Sequence, residues 1–242
     1  MEEQRVSVSV IIPALNEEGA LEKTVSGARA RMEAARVDWE IVLVDDGSVD
    51  RTGAVCDGLG RGQPRIKVVH HSRRQGIGRC IRDGIALASK DCVTWIPADG
   101  ENDPGAIVDC LPLLERVDMV VPYVVNTRVR GAGRRFLSRL FRVCVNRAFG
   151  TRFRYTNGTV IYRRQVFADF TVRSDGFFFQ AESLVKAARR GRTFREVPVE
   201  IRAREAGCSK AVSISSLLCV IRDFYRVFAE LRMGIREKGE RT

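Results

Sequence analysis

Two clusters of acidic residues are spaced closely enough to bind a cation or a polar ligand. The segment IPADGENDP places Asp99, Glu101 and Asp103 within five positions, directly after the apolar run CVTWI. The segment VDDGSVDRT places Asp45 and Asp46 side by side after another apolar run. Carboxylates this close repel each other unless a metal ion, solvent or hydrogen-bond donors offset their charge. Their oxygens are also the ligands that hard divalent cations prefer.

The elements that carry these clusters alternate regularly between strand and helix. Short β-branched runs predict five strands, at about 6–13, 40–46, 66–71, 92–97 and 118–125. Apolar residues at three- and four-residue spacing predict helices between them, at about 17–36, 50–60, 76–89 and 104–116. This alternation is typical of a parallel sheet covered by helices on both faces. Ligands bind beyond the carboxyl ends of such strands, where PALNEE, DDGSVD and PADGEND all fall.

The second half of the chain is strongly basic. Between Asp118 and Asp169 there are eleven arginines and no acid, which equals the entire net charge of +11. Such a patch attracts phosphate groups, whether on nucleic acid, an anionic membrane or a small ligand. The arginines alternate with apolar residues as in an amphipathic helix, and patterns for a strand, a helix, a strand and a closing helix at about 212–232 follow. We expect the closing helix to pack on the sheet, with a position on a membrane surface as the alternative.

The composition favours a globular, cytoplasmic protein. The chain has 242 residues, 45% of them apolar, enough for a sizeable core. No apolar stretch reaches the roughly 18 to 20 residues of a membrane-spanning helix, and the acidic start MEEQRVSVSVIIP does not predict a signal peptide. Seven cysteines without a Cys-x-x-Cys pair indicate reduced, packed thiols rather than a zinc site. His70 and His71, at a predicted strand end, are interpreted as structural or loop residues.

Four segments of the sequence resemble the inverting nucleotide-sugar glycosyltransferases of family 2. They are VSVIIPALNEE, EIVLVDDGSVDRT, GIGRCIRDGIALASKD and PADGENDP, in the family's order and at similar spacing. The segments RRFLSR, NGTVIYRR and EVPVEIRAREAGCSK narrow the resemblance to the polyprenyl-phosphate branch, which includes the dolichol-phosphate mannose synthases. The resemblance spans about residues 6–210.

This resemblance implies an α/β fold of GT-A type, with a mostly parallel central sheet and a Rossmann-like N-terminal half. It implies one catalytic domain over residues 1–242. Within it, residues 1–117 bind the nucleotide-sugar, residues 118–210 bind the acceptor, and residues 211–242 hold the C-terminal amphipathic helix.

The resemblance also implies the residues that bind the donor. They are Pro13, Leu15, Glu17, Asp45, Asp46, Ala98 and Asp99. The family's Asp-x-Asp motif holds Mg²⁺ or Mn²⁺ on the donor diphosphate, but Pro97 stands here in place of the first Asp, and proline cannot ligate. Asp99, which also counts as catalytic, and Glu101 are therefore the implied metal ligands. The alternative is that metal binding is weakened or lost and that Glu101 is a solvated loop acid.

The implied acceptor site consists of phosphate-binding residues in the basic half. They are Arg128, Arg134, Ser138, Arg204 and Lys210. A lipid phosphate is ionised at neutral pH and attacks the anomeric carbon with little help from a general base, whereas a hydroxyl or amine acceptor needs one. For such an acceptor Glu182 is the candidate catalytic base, with a helix-surface or arginine-pairing acid as the alternative.

The expected function is transfer of a sugar from a GDP- or UDP-linked donor to a polyprenyl phosphate, such as dolichyl or undecaprenyl phosphate. We expect peripheral contact with the cytoplasmic face of the membrane and consider a membrane-anchoring partner protein. One alternative keeps the donor and uses a soluble metabolite, glycan or protein as acceptor. A second is a basic protein that binds nucleic acid or membrane without catalysis; because no nucleic-acid-binding motif is present, we expect no nucleic-acid partner. A catalytically inactive relative is a third, because of Pro97.

Overall fold

A computed structural model of the chain describes residues 6–98, 104–126, 131–200 and 214–232, apart from the side chains of Arg134, Ile214 and Ser215. Its strands are β1 (Ser7–Ala14), β2 (Asp38–Asp45), β3 (Ile66–His70), β4 (Cys92–Trp95), β5 (Met119–Val124), β6 (Ile161–Arg163) and β7 (Phe194–Val199). Its α-helices are α1 (Leu21–Ala34), α2 (Thr52–Gly60), α3 (Ile77–Leu87), α4 (Gly105–Cys110), α5 (Ala132–Phe149), α6 (Phe179–Arg189) and α7 (Ile214–Arg232). Short 3₁₀ helices span Leu111–Glu115 and Arg164–Ala168.

The strands form one sheet in the order β3-β2-β1-β4-β6-β5-β7. β1 pairs in parallel with β2 and β4, and β2 pairs in parallel with β3. β6 runs antiparallel to both of its neighbours, so β5 and β7 return to the direction of the first four strands. This confirms the prediction of a mostly parallel sheet. The carboxyl ends of β1, β2, β4 and β5 therefore share one edge.

Apolar side chains fill both faces of the sheet. Along β1, Val8, Val10 and Ile12 contribute to the core on one face, and Ile11 contributes to the core on the other. Alternation along a strand directs successive side chains to opposite faces, so a strand covered on both sides is almost continuously apolar. The candidate site residues lie at the strand ends, while Ser9, Glu40 and Thr94 are buried polar residues within strands.

The C-terminal helix packs on other helices. Val227 of α7 lies in a cluster with Val145 and Phe149 of α5 and with Ala181 and Val185 of α6. Phe149 packs edge-on against Phe224, with ring centroids 5.3 Å apart. The buried members of this cluster come from the three helices and the residue before α6 rather than from a strand. The closing helix was expected to pack directly on the sheet. This expectation is wrong, because α7 packs against α5 and α6 instead.

The expectation of packed, reduced cysteines holds for four of the described thiols, whereas Cys144 is exposed and Cys219 is half-buried. The described cysteines are all free thiols, and Cys56, Cys80, Cys92 and Cys110 are buried. No helix in the described ranges has both the length and the apolar character needed to cross a membrane.

Glycine allows α3 to approach the loop before α6. The amide of Gly78 donates a hydrogen bond of 2.8 Å to the carbonyl of Asp175. A Cβ atom on Gly78 would overlap the carbonyl oxygen of Ser174, and one on Gly76 would overlap that of Asp175. Gly76 also has φ +105°, a left-handed conformation that favours glycine. The glycines of the GIG segment (76–78) thus allow close backbone contact between the start of α3 and the loop before α6.

We predict that Gly78→Ala destabilises the protein by about 2 kcal/mol or more, because the backbone of Ser174 has to move to admit a methyl group. Gly27→Ala is the matched control: Gly27 is exposed in the interior of α1, and a Cβ there has nothing within 4 Å. That change should raise the free energy of unfolding by up to about 1 kcal/mol, since alanine favours a helix. Urea unfolding measures both, and equal stability of the two variants would contradict the assigned contact.

Candidate active site

The loops that follow β1 and β2 are hydrogen-bonded to each other. The amide of Asn16 donates to Ser48 Oγ at 3.0 Å, and the amide of Glu17 donates to Thr52 Oγ1 at 2.8 Å. In return, the amide of Val49 donates to Asn16 Oδ1 at 2.9 Å. Asn16 has φ 53°, a left-handed conformation that asparagine tolerates better than most residues. These bonds hold the PALNEE and DDGSVD motifs together.

The structure brings the predicted donor-binding residues of β1 and β2 to the same edge. Ala14 lies opposite Asp45 in the parallel register, and the amide of Asp46 donates to the carbonyl of Ala14 at 2.9 Å. Pro13 lies opposite Val44 in the same register, and Leu15 and Glu17 follow in the loop after β1.

Ala98 lies at this edge too. The amide of Ile96 bonds to the carbonyl of Ile11, and Thr24 Oγ1 donates to the carbonyl of Ala98 at 3.0 Å. The chain after β4 therefore reaches Ala98 beside α1, at the edge where β1 ends.

Asp45 is buried as an ionised carboxylate with protein donors. Its Oδ1 accepts the amide of Ser48 at 3.0 Å, and its Oδ2 lies 3.1 Å from His70 Nδ1. Burial alone would raise the pKa of Asp45, but the hydrogen bonds from Ser48 and His70, together with the charge of His70, hold that pKa below its ordinary value. Asp45 therefore stays an acceptor at neutral pH, which is what a contact with base N–H groups or ribose hydroxyls requires.

Asp46 binds the loop that leads into α3. Its Oδ1 accepts the amide of Gln75 at 2.8 Å, and its Oδ2 accepts the amide of Gly76 at 2.9 Å. His71 Nδ1 lies 2.8 Å from the same Oδ1. The described contacts of Asp46 are therefore internal to the protein, and its implied contact with the nucleotide stays a prediction.

Asp46, His71 and Cys80 form a buried group whose possible metal-ligating atoms lie within 4.8 Å of one another. The 2.8 Å between Asp46 and His71 is a hydrogen-bond distance. Burial, followed by the charge of Asp46, raises the pKa of the Cys80 thiol far above its ordinary value, so the sulfur keeps its proton. We therefore interpret this group as a hydrogen-bonded cluster rather than a metal site.

His70 and His71 each lie between two carboxylates. His70 Nε2 is 3.1 Å from Asp57 Oδ1 of α2, opposite its contact with Asp45. His71 Nε2 is 3.1 Å from Asp83 Oδ2 of α3, opposite its contact with Asp46. No local pattern in the sequence predicts these partners. They follow from the parallel register, which sets His70 directly opposite Asp45.

Several predicted site residues lie outside what the structure describes. Asp99 and Glu101 fall in the undescribed residues 99–103, and Arg128, Arg204 and Lys210 also lie outside the described ranges. Arg134 lies in the first turn of α5, without a described side chain, and Ser138, which is half-buried, follows one turn later. Their predicted roles stay predictions.

Comparison with known proteins decides the family. The sequence profile described as glycosyl transferase family 2 matches residues 9–180. The chain belongs to this family.

Two characterised relatives of this family 2 member are informative. The chain is 31% identical over 207 residues to the undecaprenyl-phosphate 4-deoxy-4-formamido-L-arabinose transferase of Pseudomonas fluorescens, covering 84% of the chain and 59% of that protein. It is 29% identical over 217 residues to the polyprenol monophosphomannose synthase of Mycolicibacterium smegmatis, covering 83% of the chain and 79% of that protein. The chain thus spans less than two thirds of the first relative's length.

A solved structure shares the fold of this family 2 chain. Glucosyl-3-phosphoglycerate synthase from Mycobacterium tuberculosis, crystallised with Mn²⁺, UDP and phosphoglyceric acid, superposes with a TM-score of 0.70 at 20% identity. The match covers 92% of the chain and 78% of that protein. The predicted GT-A type α/β fold is confirmed.

Glu182 is a fully buried member of an ion-paired cluster. Its two oxygens accept the amides of Arg173 and Ser174 at 3.0 and 2.8 Å, and Oε1 lies 2.9 Å from Lys186 Nζ. Lys186, also fully buried, is 2.9 Å from Glu230 of α7. Burial alone would raise the pKa of Glu182, but the charge of Lys186 and the hydrogen bonds lower it.

The interpretation of Glu182 as a surface or arginine-pairing acid is therefore wrong, because α6 is covered on this side and the ionic partner is a lysine. A general base needs to reach a substrate proton, and these contacts do not support that role either.

We predict that Glu182→Gln lowers the free energy of unfolding by about 3 kcal/mol, because it weakens the compensation of a buried lysine. Glu33→Gln is the matched control, since Arg29 and Glu33 form an ion pair at the same i,i+4 spacing on the exposed surface of α1, where such pairs contribute less than about 1 kcal/mol. Chemical unfolding measures both. A Glu182→Gln variant with unchanged stability and lost turnover would restore the catalytic assignment.

Proposed function

We propose that this chain transfers a sugar from a nucleotide-diphospho-sugar to a polyprenyl phosphate. The assignment of a nucleotide-sugar donor is supported by the hydrogen-bonded loops after β1 and β2 and by membership of glycosyl transferase family 2. The acceptor is supported by the names of the two relatives, which act on undecaprenyl phosphate and polyprenol phosphate. The observation that carries the assignment is α5, which follows β5 at the site edge and contains five arginines and no acid.

In this proposal the donor nucleotide lies across the ends of β1 and β2. Asp45 accepts hydrogen bonds from the base or ribose, and the loop that contains Leu15 and Glu17 borders it. Asp99 and Glu101 follow the buried end of β4 and provide the carboxylate oxygens that suit Mg²⁺ or Mn²⁺. Bound by these residues, such a cation would neutralise the charge of the departing diphosphate. One or two carboxylates are enough for it, so Pro97 does not exclude binding.

The proposed acceptor half binds phosphate through arginine. Arg134 and Ser138 lie one helical turn apart on α5, and Arg128, Arg204 and Lys210 complete the set that the resemblance implies. Guanidinium groups bind phosphate oxygens through paired hydrogen bonds. An ionised phosphate attacks the anomeric carbon without a strong base, which agrees with the internal role of Glu182.

Helices α5 and α7 expose apolar side chains that suit a membrane surface. The described part of the chain exposes twelve large apolar side chains, and eight lie on these two helices. They are Phe136, Leu137, Leu140 and Val143 on α5, and Leu217, Leu218, Ile221 and Tyr225 on α7. Within each helix the set recurs at intervals of one, three or four residues and so forms a stripe along one side.

The charges beside these stripes are positive. Arg222 and Arg226 of α7 are exposed, whereas Asp223 is fully buried beneath them and Glu230 is almost buried. A surface of arginines and apolar groups matches an anionic bilayer, which offers both lipid phosphates and acyl chains. We propose that this surface brings the chain to the lipid acceptor, on the cytoplasmic face of the membrane. A membrane-anchoring partner protein remains a further proposal.

We predict metal-dependent formation of a glycosyl phospholipid when the protein is incubated with undecaprenyl or dolichyl phosphate and a panel of radiolabelled UDP- and GDP-sugars. Asp99→Ala should reduce turnover by about a hundredfold or more, because the diphosphate loses a ligand of its cation. Asp109→Ala, an exposed acid of α4, is the control and should retain activity.

Two outcomes would contradict the proposal. Transfer to a soluble acceptor such as phosphoglyceric acid, with none to prenyl phosphates, would move the acceptor to the class of the structural neighbour. Full activity of Asp99→Ala would remove the proposed ligand.

We also predict binding to vesicles of equal parts phosphatidylglycerol and phosphatidylcholine, measured by co-sedimentation, with little binding to phosphatidylcholine alone. The double change Leu218→Asp and Ile221→Asp should weaken that binding about tenfold or more, since two buried apolar contacts are lost and two like charges are added. Leu87→Asp on α3, which is 43% exposed, is the control. Equal binding of all three proteins would show that another surface contacts the membrane.

A further inference from the structure

The end of β3 presents two histidines to the two aspartates that end β2. Asp45 and His70 are opposite each other in the parallel register, and the following pair, Asp46 and His71, meets in the same way. Because side chains alternate along a strand, the first pair faces α2 and the second pair faces α3. His70 contacts Asp57 of α2, and His71 contacts Asp83 of α3. The first pair is the more open: the His70 side chain is 41% exposed and that of His71 only 5%.

Each ring nitrogen of His70 faces a carboxylate oxygen. Nδ1 lies 3.1 Å from Asp45, and Nε2 lies 3.1 Å from Asp57. A neutral imidazole has a single N–H group, so it donates to one carboxylate and turns a lone pair towards the other. The imidazolium donates to both. The hydrogen bond to Asp45, together with that to Asp57, raises the pKa of His70 above its ordinary value.

The fold leaves space for this arrangement. Gly53, in the first turn of α2, lies next to the pair, and a Cβ atom there would be 3.1 Å from Asp45 Oδ2 and 3.6 Å from the His70 ring. The charged groups that contact His70 are Asp45 from β2 and Asp57 from α2. Asp57 is itself 61% exposed, so solvent can take over its hydrogen bonds, while the buried Asp45 has few alternatives.

We infer that His70 is a positioning residue for the donor nucleotide: it fixes the Asp45 carboxylate through Nδ1–H, and its protonation sets how firmly that carboxylate is held. This inference rests on the proposed function, because Asp45 is assigned there to the base or ribose. When His70 loses a proton, Asp57 competes with Asp45 for the remaining N–H group. Nucleotide affinity then falls, while the chemistry at the diphosphate is unaffected.

The stability of the folded protein also depends on the protonation of His70. Because the folded-state pKa of His70 is raised, the pair's contribution is present below the unfolded pKa of about 6.5 and is lost as the pH rises through the folded pKa.

Substitution of His70 by asparagine or glutamine distinguishes the role of Nδ1 from that of Nε2. The amide nitrogen of asparagine overlies Nδ1 of histidine, and that of glutamine overlies Nε2. His70→Asn therefore keeps a donor for Asp45 and carries no titrating proton, whereas His70→Gln keeps a donor only for Asp57. His70→Ala keeps neither. Asp57→Asn removes the competing carboxylate and leaves His70 in place.

The test is the dissociation constant of UDP and of GDP, with Mg²⁺, measured calorimetrically from pH 6 to pH 9 on each full-length variant. Wild-type affinity should fall about threefold or more across this range. His70→Gln and His70→Ala should bind about tenfold more weakly at pH 6. His70→Asn and Asp57→Asn should bind within about twofold of wild type at pH 6 and show a flat pH profile. In turnover assays at pH 6, His70→Gln should raise the donor KM and leave kcat unchanged.

The outcomes that overturn the inference are distinct from those that overturn the proposed function. Wild-type affinity in both His70→Gln and His70→Ala, or an unchanged pH profile in Asp57→Asn, removes the positioning role and leaves the glycosyltransferase proposal standing. Failure of the folded wild-type protein to bind any nucleoside diphosphate overturns both. Thermal unfolding of each variant identifies any that does not fold, and His70→Gln, which preserves a polar side chain of similar size, then replaces His70→Ala.

Discussion

The parallel register of β1, β2 and β4 is the constraint on which the site depends. Ala14 pairs with Asp45, and Ile11 pairs with Trp95, so the three strands end beside one another. Strands in the same direction deliver their following loops to one edge without further long-range contacts. The hydrogen bonds between the first two loops then fix their relative position. Since both faces of the sheet are covered, the strands are mostly apolar, and the candidate site residues lie at their ends.

The same constraint explains how much of the fold the sequence predicts. The β-branched runs and helix-spaced segments of the first half give all of its strands and helices, because each pattern is local. The predicted helix at 104–116 is interrupted, with α4 ending at Cys110 and a 3₁₀ turn beginning at Leu111, because Pro112 has no amide to continue an α-helical ladder. The strand expected in GTVIYRR shortens to Ile161–Arg163 and enters the sheet between β4 and β5. Strand order depends on contacts between distant segments, which no local pattern contains.

In the candidate site, too, local sequence patterns predict some residues, whereas contacts between distant segments determine others. Pro13, Leu15, Glu17 and Asp45 are placed by motifs that sit at strand ends. The partners of His70 are not, because Asp45 is 25 residues away along the chain and adjacent only across the sheet. Glu182 shows the opposite error: an acid in an amphipathic pattern is expected on the surface, yet Glu182 is fully buried and accepts amides of the loop before α6. Its true partner, Lys186, was available one turn later on the same helix, and only the burial of that side of α6 shows that the pair is internal.

The distribution of charge connects these observations to the proposed reaction. A donor diphosphate and an acceptor phosphate are both anions, and a site that holds them together has to offset their repulsion. On the donor side the described acids are already engaged: Asp45 and Asp46 accept protein donors, so they add little uncompensated negative charge to the edge. The segment between Asp118 and Asp169, which is proposed to bind the acceptor, supplies positive charge alone. In the proposed donor site, Glu101 supplies a carboxylate where Pro97 replaces one, so the proposal leaves the charge expected beside the donor diphosphate unchanged.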